Sequence, residues 1–344
     1  MGIFVLSSYM KIITKGKNMN NIKKIGLTAL AGSLVAISAQ AAEMTVSGAT
    51  MLTYTQEGST DVTGNPFGMK TNLSFKAAGE VNGYNVSYMQ TSKDQFAGMS
   101  SARLSIDLGD LGTLAFDQGS GSGLATIDDK TPTAAEEVWD GLDVTTSGRV
   151  GSAGNSGVIN YVNSYEGVTL NAAFRKGSGT SNADGGSSGA GEGAFDFAIT
   201  TDGSMVGLEG VAVGVGYGEK SQESTTTQYG DIEDVTAFVN YSVGPVTAGV
   251  QTSYENSNKH GSDDQEATRW GIAFNINENL SVSYGEATTT FKGGTDIDEE
   301  IEGVAIAYTM GSMKIAGNMN EGSNMGGVAA KEDSMTEIAV SFAF

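Results

Sequence analysis

The side chains best suited to chemistry in this sequence are carboxylates, and six of them fall in its longest connection, between residues 118 and 156. Asp128, Asp129, Glu136, Glu137, Asp140 and Asp143 all fall in that stretch. It opens on Gly119-Ser120-Gly121-Ser122-Gly123, a flexible hinge. Pro132, followed by alanines and glutamates, predicts the start of a short helix with acids in its first turns. A connection this long is expected to have a function of its own. Further acids cluster at Asp231, Glu233 and Asp234, at Asp263, Asp264 and Glu266, and at Asp296, Asp298, Glu299 and Glu300. Oxygen-rich loops of this kind can hold Ca²⁺ or Mg²⁺ weakly, but none follows the EF-hand spacing.

Catalytic constellations are scarce. The one histidine, His260, cannot build a multi-histidine zinc site. A serine triad would use it with Asp263 or Asp264, yet it sits in a polar loop that does not hold a tautomer fixed. No cysteine is present to serve as nucleophile or thiolate ligand. The glycines of Gly214-Val215-Gly216-Tyr217-Gly218 alternate within a strand pattern and no helix follows, so a dinucleotide loop fails its context test. No enzyme is expected.

Composition narrows the class. Lys23 and Lys24 precede an apolar stretch, 25–37, and Ala39-Gln40-Ala41 has the form of a cleavage site. Residues 1–41 therefore read as a signal peptide, with 1–18 a start assigned too early and Met19 the better-placed start. The apolar run is too short for a spanning helix. Removing 1–41 takes away five bases and no acids, leaving 14 bases against 40 acids, a net charge of −26. That excess argues against nucleic acid and suggests either cations or a soluble acidic exterior.

From Met44 onward the apolar period is two. Leu104, Ile106 and Leu108 alternate with Arg103, Ser105 and Asp107. Leu280, Val282 and Tyr284 alternate with Ser281, Ser283 and Gly285. Such stripes make strands, not helices. Sixteen segments of this kind fit between turn signals, the weakest being 157–165, whose apolar residues occupy both faces. Short turns such as Glu166-Gly167 alternate with long polar loops, as an up-and-down transmembrane barrel requires. The even count puts both termini at the short-turn end. A soluble β-sandwich would also alternate. Here, however, the face opposite the apolar stripe is mostly Gly, Ala, Ser, Thr and Asn. Tyr54, Phe75, Tyr88, Tyr165, Tyr217, Tyr241, Tyr254, Tyr284 and Tyr308 also collect near segment ends, as aromatic girdles do. Lys70, Lys76, Arg103, Arg175, Arg269 and Lys314 all lie on the small-polar face. A base on the lipid face costs about 2–4 kcal/mol at the midplane, so these six are assigned to the lumen wall.

The last segment, 336–344, puts Ile338, Val340, Phe342 and Phe344 on one face and ends the chain on Phe344. With this strand the sequence resembles the Gram-negative outer-membrane general-diffusion porins, most closely the alphaproteobacterial type, over 42–344. The resemblance implies an all-β transmembrane barrel of about 16 strands, residing in the outer membrane and passing small hydrophilic solutes and ions. It implies a homotrimer, and makes Phe342 and Phe344 a signal for the barrel-assembly machinery. It also implies that the third loop, 118–156, folds inward as a constriction. The six loop acids would then face the wall bases, Arg103 foremost, across a transverse field. The other acid clusters would be solvated tips that bridge lipopolysaccharide through divalent cations. A substrate-specific channel and a secreted β-rich surface protein are the alternatives.

Overall fold

The computed structural model describes residues 43–58, 63–92, 98–143, 153, 156–177, 193–204, 207–222, 225–260, 264–293 and 297–344. The segment read as a signal peptide lies outside them, as do Asp263, Asp296 and part of the long third loop.

Sixteen antiparallel strands close into one barrel. They are β1 (Glu43–Glu57), β2 (Phe67–Val81), β3 (Tyr84–Ser92), β4 (Met99–Asp107), β5 (Thr113–Gln118), β6 (Ser156–Tyr165), β7 (Val168–Arg175) and β8 (Ala194–Thr201). The second half comprises β9 (Val211–Lys220), β10 (Ile232–Val243), β11 (Val246–Asn256), β12 (Asp264–Asn275), β13 (Leu280–Lys292), β14 (Asp298–Met310), β15 (Met313–Ser323) and β16 (Asp333–Ala343). Each strand pairs with its sequence neighbours, and β1 pairs with β16. Closure leaves no open edge, which a lipid-embedded sheet cannot tolerate because nothing there satisfies free backbone groups. The seam finishes at Phe344, whose carbonyl accepts from the Gly48 amide at 2.8 Å and whose amide donates to the Gly48 carbonyl at 2.9 Å.

The tight turns follow from residue type. Asn82 and Gly83 both have positive φ, as do Glu166 and Gly167, the backbone a two-residue hairpin needs. All long connections leave from the opposite end.

Alternation sorts the two faces as the sequence predicts. Leu104, Phe116, Phe174, Ile199, Val239, Ile272, Ile306 and Ile338 are exposed on the outer wall. Tyr54, Phe75, Tyr88, Tyr165, Tyr241, Tyr254 and Tyr308 accompany them. Most buried strand residues are small or polar and point inward, among them Ala173, Ala198, Thr236, Gln251, Ala287 and Asn320. The apolar clusters lie inside the wall. Leu142 packs with Ala287, Ile301, Met325 and Met335, with Val138 and Trp139 against them. Leu124 and Ile127 pack with Ala198 and Phe238. Val158 packs with Ala153, Ala173 and Ala194. All three clusters include a residue of the 118–156 connection, so the core lies where that connection meets the barrel. Val158 also accounts for the apolar residues on both faces of β6.

Two local expectations change. No helix starts at Pro132; residues 132–142 form turns, with Asp140 N on the Glu137 carbonyl and Leu142 N on the Trp139 carbonyl. Residues Gly123–Ile127, beginning where the sequence reads as a hinge, form a 3-10 turn. The reason is competition, because wall side chains take up the backbone groups that a helix would use internally.

Candidate functional site

The inner wall is shaped to receive the third connection. One cross-strand row reads Asn240, Gly249, Gly271, Gly285, Gly303, Asn320 across β10 to β15. Four glycines in register on four neighbouring strands make a trough about 14 Å across. Residues 130–140 lie in it. A Cβ at Gly271 would sit 2.6 Å from the Pro132 carbonyl oxygen, and one at Gly249 2.8 Å from Pro132 Cδ. At Gly285 and Gly303 it would meet Val138 at 3.1 and 3.2 Å. Glycine is therefore what lets two backbones approach so closely.

The asparagines at the ends of the row hold the segment. Asn240 Nδ2 donates to the Lys130 carbonyl at 2.7 Å, and Asn320 Nδ2 to the carbonyls of Glu137 at 3.2 Å and Asp140 at 2.9 Å. The neighbouring rows add grips. Gln251 accepts from Lys130 N at 2.9 Å and donates to the Ile127 carbonyl at 2.7 Å. Ser283 Oγ accepts from Ala134 N at 2.9 Å. Backbone groups that would otherwise be stranded are thus satisfied by the wall.

With its backbone turned to the wall, the segment brings several of the six acids near the remaining bases. Lys70 and Lys314 belong to one cross-strand row, Lys70–Met51–Ser341–Lys314, across β2, β1, β16 and β15. Burial, then Asp140, holds Glu136 above its ordinary pKa, while Lys314 and Lys70 pull it back. Burial likewise raises Asp140, and Lys70 opposes the shift. Glu137 is raised by burial and by the carboxylates of Glu136, Asp140 and Asp128, partly offset by its own backbone hydrogen bond. Asp129 is pushed up to about 6 by burial and by Asp128 and Glu137, against Arg269 and Lys130. The wall bases that act on these acids thus stand on β2 and β15, on either side of β1 and β16. Glu337, on β16, joins this group and accepts from Thr55 Oγ1 at 2.9 Å. Sequence reading passed over Glu337, Asn240, Asn320 and the glycine row, because only strand register brings them together.

The other candidates lie elsewhere. Arg103 faces inward but is engaged: Nη1 donates to the Gly121 carbonyl at 3.0 Å and lies 3.9 Å from Asp117, and Nη2 donates to Asn160. Asp117, fully buried, also accepts from Ser120 N and Ser122 Oγ. Arg103 thus ties the root of the connection to β5 and β6 and is not a free wall charge. Arg269 is 2 % exposed and sits behind the segment, bonded to the Asp128 carbonyl. Asp143 is held at the rim by Asp333, which accepts from its amide, and by Lys331 at 3.7 Å. Lys76 lies six residues along β2 from Lys70, toward the short-turn end. Arg175 points inward on β7, its Nε buried. His260 packs its ring at a tilt against Tyr229, 4.8 Å between centroids, between two long loops, with no triad partner among its described contacts. No three metal-binding side chains converge among the described residues.

A family model described as Gram-negative porin matches residues 26–327. No curated protein matches the sequence. Among solved structures, the outer-membrane channel DcaP of Acinetobacter baumannii superposes with a TM-score of 0.64 at 14% identity, covering 88% of this chain and 97% of its own. Salmonella typhi OmpF, in complex with daunomycin, gives 0.63 at 11% identity, covering 89% and 99%. The trimer form of OmpT, an outer-membrane protein of Vibrio cholerae, gives 0.60 at 13%, covering 88% and 100%.

Proposed function

The chain belongs to the Gram-negative porin family, forming an outer-membrane channel for passive diffusion, and from that premise we propose how its pore selects. The eyelet lies between Glu136 and Asp140 on the third loop and Lys70 and Lys314 on the wall. It passes small hydrophilic solutes and prefers cations. The observation that carries this reading is the loop segment seated in the glycine trough, with its acids electrostatically coupled to those two lysines. Glu337 adds a further carboxylate, so acids outnumber free bases there. Charges fixed on opposite sides of a narrow gap order water and favour polar over apolar solutes. Arg103 and Arg269 carry charge already balanced by Asp117 and Asp129, and contribute little to the field.

The assembled unit is a homotrimer in this reading, in keeping with the trimeric relative. The outward Phe342 and the terminal Phe344 present the strand to the assembly machinery. The acidic loops meet lipopolysaccharide and hold Ca²⁺ or Mg²⁺ only weakly.

Two measurements test the reading. In a salt gradient across a planar bilayer, single channels should show a reversal potential of cation-preferring sign; an anion-preferring sign rejects the eyelet assignment. Liposome swelling should fall smoothly with solute size. A sharp preference for one solute at equal size would replace general diffusion with a substrate-specific channel.

A further inference from the structure

Arg269 stands apart from the other wall bases. It rises from β12 in the row above the glycine trough, between Gln251 and Ala287. Its guanidinium carbon lies 4.3 Å from the centre of the Trp139 ring. Nη1 donates to the Asp128 carbonyl at 3.4 Å and lies 3.9 Å from Asp129 Oδ1. Nη2 is buried without a hydrogen-bond partner. One planar cation therefore touches the loop at two places ten residues apart, 128–129 and 139. The other grips on the segment are hydrogen bonds from neutral Asn, Gln and Ser side chains. Trp139 in turn packs against the cluster of Leu142, Met325 and Met335, so the ring joins the wall arginine to the far end of the loop.

Resting on the pore reading above, we propose that Arg269 and Trp139 form a latch that fixes the position of the constriction loop. Arg269 is thus a positioning residue for permeation and not a lumen charge that ions meet. The shape argument is specific. A guanidinium can stack on indole and face a carboxylate at once, whereas an ammonium is a compact point charge. Without the latch the loop keeps its neutral hydrogen bonds but loses the cation that touches both 128–129 and 139. It then leaves the trough more often, and the acids move with it.

The test uses the full-length channel in planar bilayers with Arg269→Gln, Trp139→Leu and the double variant. Each single change should raise the undocked population about thirtyfold, the size of a desolvated cation–π contact. It would be read as greater open-channel current noise and a lower mean conductance, because a loop that leaves the wall moves into the lumen. The double variant should resemble either single one, because both remove the same contact. Arg269→Lys should restore only part of the quiet state. Trypsin added from the loop side should cut after Lys130 faster in the variants. Parent-like noise, conductance and cleavage in folded variants would overturn the latch, as would effects that simply add. If Arg269→Gln does not assemble, Trp139→Leu, which leaves the barrel wall untouched, decides alone. Lys70→Ala, measured in the same membranes, separates the two ideas. A shifted reversal potential there with silent latch variants removes the latch and leaves the eyelet standing.

Discussion

Replacing Lys70 by alanine should make the channel more cation-selective, by an amount that strand geometry sets. Lys70 and Lys314 share one inward row, separated by the steps β2–β1, β1–β16 and β16–β15. Adjacent strands lie about 4.8 Å apart, so the two positions are about 14 Å apart and an ion midway sits about 7 Å from each. At that distance in water a unit charge contributes about 0.6 kcal/mol. Screening reduces this to about 0.25 kcal/mol at about 0.15 M salt and about 0.5 kcal/mol at about 0.01 M. Losing the lysine raises cation occupancy and lowers anion occupancy by the same factor. The permeability ratio should therefore rise about twofold at the higher salt and about fivefold at the lower. The assay is the reversal potential under a salt gradient at both ionic strengths, on channels of parent-like conductance. No shift at low salt, or a shift toward anions, would refute the reasoning, because it would mean that permeating ions do not pass Lys70.

Arg103→Ala should lower barrel stability by about 1–3 kcal/mol, since buried Asp117 loses its charged partner. Its reversal potential should move less than that of Lys70→Ala; heat-dependent gel migration and bilayer recording check the two halves. Gly271→Ala should push the loop off the wall at Pro132 and into the lumen, so that single-channel conductance falls while the barrel still assembles. Acidification should weaken cation preference as Glu136 and Asp140, both held above their ordinary pKa by burial, take up protons; Asp129, pushed up to about 6, acts instead on loop docking. Its folded pKa is raised from 3.8, so the folded state binds more protons between the two values. Loop docking is therefore strongest below that window and weakens as pH rises through about 6, which thermal melts across the range would record.

Much of the fold is legible in the sequence because lipid imposes it. A period of two, small residues opposite the apolar stripe and turn residues such as Glu166-Gly167 leave few alternatives to a closed barrel. Lumen charges follow from the same parity, which is why all six bases were assigned inward. Parity does not say what a charge meets once inside. Arg103 and Arg269 have the same signature as Lys70, yet one ties the loop root and the other lies beneath the loop. Their partners in the connection, the Gly121 carbonyl and Trp139, lie on a path that depends on contacts across the barrel. The glycine trough was hidden for a related reason. Gly249, Gly271, Gly285 and Gly303 are spread over four strands, and they form a row only when register is fixed. The helix expected at Pro132 failed because local preference was outweighed by Asn320, Gln251 and Ser283 competing for the same backbone groups.

The account rests on alternate residues of each strand meeting water inside the barrel, and the absence of cysteine from the chain allows that to be read directly. Single cysteines placed at Met51, Leu52, Thr53 and Tyr54 of β1 in reconstituted channels would be exposed to a charged, water-soluble thiol reagent. Positions 51 and 53 should react, with the current falling as position 51 is labelled, while 52 and 54 stay unmodified. Equal labelling at all four positions, or the opposite parity, would contradict the channel described.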